Sequence, residues 1–142
     1  MIEMTSLEGN RQWLDGGSMF GNAPRAVWEK WTSVDEQGRI PLACRCMLIQ
    51  YKNLNILCET GIGTFFEPKL AERFGVQNSE TNQLVVELEN KGLSTDSIDY
   101  VILSHLHFDH AGGTLANYQD AVAGKDGLIF KNAQFIVGRQ AW

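Results

Sequence analysis

The stretch Tyr100-Val101-Ile102-Leu103-Ser104-His105-Leu106-His107-Phe108-Asp109-His110 decides how this chain is read. Four consecutive apolar residues lead into three imidazoles and a carboxylate within six positions, and the chain has no other histidine. The continuous apolar run from Asp99 to Ser104 predicts a strand buried on both faces. On extended backbone, His105 and His107 are two residues apart and project to one side. Each offers a neutral ring nitrogen, the ligand that borderline metals prefer. Asp109 is suited to bind an ion or to hold a water on one. His110 is expected to point elsewhere, toward a second ion. Asp109 and His110 fall where a helix would begin, and its free amides favour a carboxylate there. Gly112 and Gly113 let the backbone pass close to the site. The competing interpretation is three solvated loop histidines. Their confinement to one loop behind a buried strand weighs against it.

Outward from the motif, the pattern is β-rich first and then alternates helix with strand. Residues 1–24 carry Gly9, Gly16, Gly17 and Gly21 and predict loop, with a brief strand at 11–15 before an Asp15-Gly16-Gly17 turn. A short helix is expected over 26–31, opened by Pro24. Ile40 to Gln50 predicts one strand, with Cys44 and Cys46 on one face and Arg45 facing solvent. Ile56 to Glu59 completes a hairpin. Helices are expected over 66–74, capped by Gly75, and over 81–90, with Leu84, Val85 and Leu88 as the apolar stripe. After the motif come a short helix through Leu115, Tyr118 and Val122, then strands at Leu128–Phe130 and Ala133–Val137. Trp13, Trp28 and Trp31 are expected in core or rim packing, and Met19 and Phe20 at a pocket mouth or in packing. The fold class is α/β: a mixed sheet with helices packed on its outer face. The 142 residues are expected to form a single incomplete domain, with a strand, loop and short-helix region at 1–39 and the motif-bearing sheet and helices at 40–142. The last strand candidate has nothing after it to cover it, a liability for a free sheet edge.

Composition narrows the partners. Hydrophobic content is 44%, charged content 20% and formal net charge -5, with 12 basic and 17 acidic residues. No basic run tracks a phosphate backbone, so nucleic acid is not favoured. No stretch approaches the ~20 apolar residues of a membrane span. No secretory leader is visible at the N-terminus, so the cytoplasm is the expected location. Cys44, Cys46 and Cys58 fit no disulfide framework and are read as small buried hydrophobes in a reducing compartment.

Ser104 to Gly113 resembles the H-x-H-x-D-H motif of the metallo-beta-lactamase superfamily, followed as there by Gly-Gly. Leu57-Cys58-Glu59-Thr60-Gly61 is similar to that family's strand end, where an Asp normally precedes Thr-Gly. Asn82, Leu84, Leu88, Gly92, Ile98, Asp99 and Val101 resemble the helix and turn leading into the motif strand. Residues 132–137 resemble the segment after the motif helix, and residues 14–21 look like the opening of some lactonases and other small-molecule hydrolases of the superfamily. The resemblance implies the N-terminal half of an αββα sandwich. It implies that His105 and His107 bind a first metal and that Asp109 and His110 bind a second, with Asp109 also orienting the nucleophilic water. Glu59, Thr60, Gly61, Gly112 and Gly113 would surround these ligands. Two zinc ions per complete site are implied, with iron or manganese as alternatives. The bridging hydroxide would attack an ester, lactone or thioester carbonyl; phosphodiesters and beta-lactams stay open as substrates.

Two departures matter. Glu59 places its carboxylate one methylene further out than the family's Asp. The family's third histidine for the first metal, its bridging acid and its last histidine lie in the second half of the fold, and no histidine follows His110 here. Asp120 and Asp126 lie in the wrong segments to replace the bridge. The expectation is therefore that this chain carries half of each metal site and is inactive alone. The alternative is a non-catalytic remnant, or a metal-binding subunit completed by a second copy or by the missing C-terminal half.

Overall fold

The computed structural model describes residues 1–142. Its strands are β1 (Ile2–Glu8), β2 (Gln12–Asp15), β3 (Arg39–Leu42), β4 (Arg45–Tyr51), β5 (Leu54–Cys58), β6 (Tyr100–Leu103) and β7 (Gln134–Val137). Its helices are α1 (Gly16–Phe20), α2 (Arg25–Trp28), α3 (Pro68–Arg73), α4 (Gln83–Glu89), α5 (Phe108–Ala111) and α6 (Tyr118–Val122). Five strands form one sheet in the order β1-β4-β5-β6-β7, and β2 pairs with β3 in a separate ribbon. β1, β4 and β5 are antiparallel neighbours, whereas β5, β6 and β7 run parallel. Parallel neighbours need crossovers, and α3 to α6 lie in them. The expected mixed sheet with helices is therefore present.

Alternation along the strands builds the core. Leu7, Cys46, Leu48, Leu57, Val101 and Leu103 share the inner face with Leu84 and Leu88 of α4, Ile98 and Phe130. Asn82 caps α4, its side chain accepting from the Val85 amide at 3.4 Å. The opposite face is apolar and bare: Met4 is 67% exposed and Ile136 47%, with Ile2, Met47, Tyr51 and Leu54 also exposed. No helix is long and apolar enough to cross a membrane.

Several expectations need correction. The N-terminus is not mainly loop. β1 pairs with β4 along its whole length, from Ile2 opposite Tyr51 to Glu8 opposite Arg45. Its pattern is faint because only Leu7 is buried. The Asp15-Gly16-Gly17 turn is the start of α1, where the Asp15 carboxylate accepts from the Ser18 amide at 2.7 Å. Residues 40–50 are two strands in two sheets. The chain leaves the ribbon at Ala43-Cys44, where the Cys44 carbonyl accepts from the Gly9 amide at 2.8 Å. Leu128–Phe130 is not a strand; one bridge joins Leu128 to Leu115 while Phe130 fills the core. α6 begins at Tyr118, and the expected 66–74 helix begins at Pro68, whose fixed φ suits a first helical position. In β6 only Val101 and Leu103 are buried; Tyr100 and Ile102 belong to the bare face.

Candidate functional site

β6 ends at Leu103, and the motif loop crosses from there into α5, with His107 at its N-cap and Asp109 in its first turn. The three histidines come together. The His105 ring centroid lies 4.6 Å from that of His107 and 4.1 Å from that of His110. The motif spacing predicts that His110 points away; instead it turns back beside His105. Two contacts turn it. The Thr60 amide donates to the His110 carbonyl at 2.8 Å, and the Glu59 Oε2 lies 3.1 Å from its Nδ1.

Glu59 closes the loop at both ends. Its Oε1 accepts from the Ser104 amide at 2.8 Å while Oε2 holds His110. Its backbone sits at φ 64°, a left-handed conformation that disfavours a residue with a Cβ. Such strain persists only where surrounding contacts over-determine it, and these two contacts do so. Thr60 is fully buried, and its hydroxyl also donates to the His110 carbonyl at 3.0 Å. The Gly113 amide donates to the Gly61 carbonyl at 2.9 Å. A Cβ on Gly112 would meet the Ile62 carbonyl oxygen at 2.5 Å, and one on Gly113 would collide with the Thr60 carbonyl. Both glycines are therefore required by close approach. Phe108 faces away from the histidines into an aromatic cluster with Phe66 and Phe74, at 5.3 and 4.6 Å.

The donor chemistry suits a cation. His105 has Nδ1 engaged by the Ser104 hydroxyl at 2.9 Å, and His110 has Nδ1 engaged by Glu59. Glu59 accepts the Nδ1 proton of His110 and so leaves its Nε2 for a ligand, the usual division of labour in a metal-binding imidazole; His105 offers Nε2 in the tautomer that donates from Nδ1 to the Ser104 hydroxyl. The His110 Nε2 lies 3.6 Å from the Asp109 Oδ2. Two acceptors facing each other at that distance are relieved by a positive ion between them. The donors are grouped in pairs, however. No three His, Cys, Asp or Glu side chains are arranged to hold one ion.

Two neighbours had no signal in the sequence. Gln12 of β2 reaches Asp109 across 97 positions, with Nε2 3.5 Å from Oδ2. Cys44 lies near Asp109, and burial, aided by that carboxylate's charge, pushes its thiol up to about 12.

A probable metal-dependent hydrolase from Staphylococcus aureus superposes with a TM-score of 0.85 at 34% identity, covering 99% of this chain and 48% of its own. AidC, a dizinc quorum-quenching lactonase, shares the fold with a TM-score of 0.69 at 22% identity, covering 99% of this chain and 42% of its own. An N-acyl homoserine lactonase of Bacillus thuringiensis is 34% identical over an 80-residue alignment, and the match covers 48% of this chain and 30% of that protein. The chain thus spans about half the length of the staphylococcal hydrolase it matches. The sequence profile of the metallo-beta-lactamase superfamily matches residues 39–116, more than half of the chain and the whole span from β3 through the motif. With strand order, loop and profile in agreement, the chain belongs to the metallo-beta-lactamase superfamily.

Proposed function

We propose that this chain is the motif-bearing half of a metal-dependent hydrolase that opens small lactones or related esters. The observation that carries the proposal is the gathering of three imidazoles and Asp109 beyond β6, with the Nδ1 atoms of His105 and His110 already engaged. His105 and His107 would hold one ion, and Asp109 with His110 a second. Zinc is the first choice because the fold neighbour AidC is described as dizinc. The ions would lower the pKa of bound water toward neutrality and polarise the substrate carbonyl. The chain's own residues set the stage for this chemistry. Glu59 fixes the tautomer and orientation of His110, Ser104 orients His105, and the Thr60–His110 and Gly61–Gly113 contacts seat the loop on β5. The lactone substrate class is supported by the Bacillus relative.

The remaining ligands would come from a second αβ half packed on the bare sheet face, and residues 1–142 would then be one half of a single domain. A second copy of this chain on the same face is the other arrangement. The three free cysteines suit a reducing compartment such as the cytoplasm. The test is hydrolysis of an N-acyl homoserine lactone in the presence of Zn²⁺. It is run with the chain alone and with the chain refolded together with the C-terminal half of the staphylococcal hydrolase, with sedimentation to read the assembly. Zinc-dependent lactone opening that His107→Ala abolishes supports the proposal. A chain that holds zinc yet opens no lactone, ester or thioester in either format contradicts it and leaves a metal-binding subunit.

A further inference from the structure

We propose that Gln12 is a positioning residue for Asp109, supplied by the N-terminal ribbon. The inference rests on the metal-site reading of the motif. Gln12 is 1% exposed, and its Nε2 lies 3.5 Å from the Asp109 Oδ2. Its Oε1 is buried with no hydrogen-bond partner, and no other buried side-chain oxygen or nitrogen is in that position. The amide orientation follows from chemistry, because the flipped amide would set a carbonyl oxygen against a carboxylate. A buried carbonyl without a partner destabilises a fold, and an apolar side chain of the same length would not incur that cost. Keeping an amide here is intelligible if its donor serves Asp109.

The surroundings hold the amide still. β2 pairs with β3 with Gln12 opposite Leu42. On either side of it, the Arg11 carbonyl accepts from the Gln77 amide at 2.8 Å and the Trp13 amide donates to the Gly75 carbonyl at 3.1 Å. Asn10, also buried, anchors to the Gln77, Asn78 and Thr81 carbonyls at 2.8–3.1 Å. Gln12 thus stands on a backbone clamped from both sides, and Asp109 stands on a one-turn helix. The clamped amide gives the Asp109 carboxylate a donor of fixed position. A donor on Oδ2 fixes the plane of the carboxylate toward the histidine rings. A ligand so oriented binds its ion more tightly than one free to rotate.

The test is Co²⁺ titration of the full chain, followed by the visible absorption of the bound ion, beside thermal denaturation without metal. Gln12→Met removes both polar atoms at nearly constant length. The expected result is a denaturation midpoint at or above that of the unaltered chain, with Co²⁺ affinity lower by roughly 10–100-fold and a changed visible spectrum. Unchanged affinity in Gln12→Met overturns the inference alone. A Gln12→Met chain that melts earlier or fails to fold also overturns it, because the residue then serves packing. An unaltered chain that takes up no Co²⁺ overturns the metal reading and this inference with it, and that failure is seen before any variant is compared.

Discussion

Replacing Gly112 by Ala tests how the motif loop is seated. Gly112 sits at φ -62° and ψ -33°, where alanine is comfortable, so the effect is steric and not conformational. The new Cβ would lie 2.5 Å from the Ile62 carbonyl oxygen and 2.5 Å from the Phe65 Cε1, against an ordinary contact of 3.4 Å or more. The ring can swing, but the carbonyl belongs to a backbone segment tied to the motif through Thr60 and Gly61. About 0.9 Å of separation must therefore come from lifting the loop off β5. Overpacking of this kind costs ~1–3 kcal/mol, and loss of the Gly113–Gly61 hydrogen bond adds to it. For a chain of 142 residues the unfolding entropy is ~0.3 kcal/mol/K, so the midpoint should fall by ~3–10 °C. Thermal denaturation followed by far-UV circular dichroism measures this. Gly138→Ala, where a Cβ meets nothing within 4 Å, is the control and should be close to neutral. Equal midpoints for the two variants would refute the claim that the loop is held by close backbone approach.

Other perturbations follow from named contacts. Glu59→Asp should release either the Ser104 amide or His110, because one fewer methylene cannot span both; zinc affinity measured by calorimetry should fall by ~10–100-fold. Asn10→Ala should lower the urea midpoint by an amount equivalent to ~1–3 kcal/mol, since the Gln77 and Thr81 carbonyls and the Gln83 amide lose the partner that Asn10 supplies, while the Asn78 carbonyl keeps the Thr81 amide. Burial pushes the thiols of Cys44 and Cys46 up to about 12 from 9.0. The unfolded chain therefore loses these protons first as pH rises, so their contribution to stability is complete below pH 9 and declines between 9 and about 12. Urea melts across that range should show the fall, and Cys44→Ala/Cys46→Ala should flatten it. In alkylation at pH 8, Cys58, half-buried on the bare face, should react first.

The parts legible in the sequence were those governed by local pattern. The apolar run before His105, the β4–β5 hairpin, the capped α4 stripe and the Gly-Gly after the motif all announce themselves within a few residues. The parts that were not legible depend on tertiary context. β1 looks like loop because an edge strand of this sheet buries only Leu7. Residues 40–50 look like one strand because alternation does not register a change of sheet at Cys44. Leu128–Phe130 has the right residues for a strand but no neighbour in register, so Phe130 serves as a core plug with Ile129 packed against the same cluster. At the site, the motif residues were visible by type and spacing. The turn of His110 toward His105 was not, because Glu59 and Thr60 impose it from 50 positions away. Gln12 was invisible for the same reason, as a lone amide in a short strand.

In the proposed function the loop from His105 to His110 is a metal platform in which His105 and His110 bind through Nε2 while Nδ1 stays engaged behind them. Zinc titration of the ¹⁵N-labelled chain, observed at the imidazole nitrogens by NMR, tests it most directly. Saturable, chelator-reversible shifts are expected at Nε2 of His105 and His110, with the Nδ1 proton of His110 retained toward Glu59. Histidine spectra indifferent to zinc, or coordination of His110 through Nδ1 with its hydrogen bond to Glu59 broken, would contradict it.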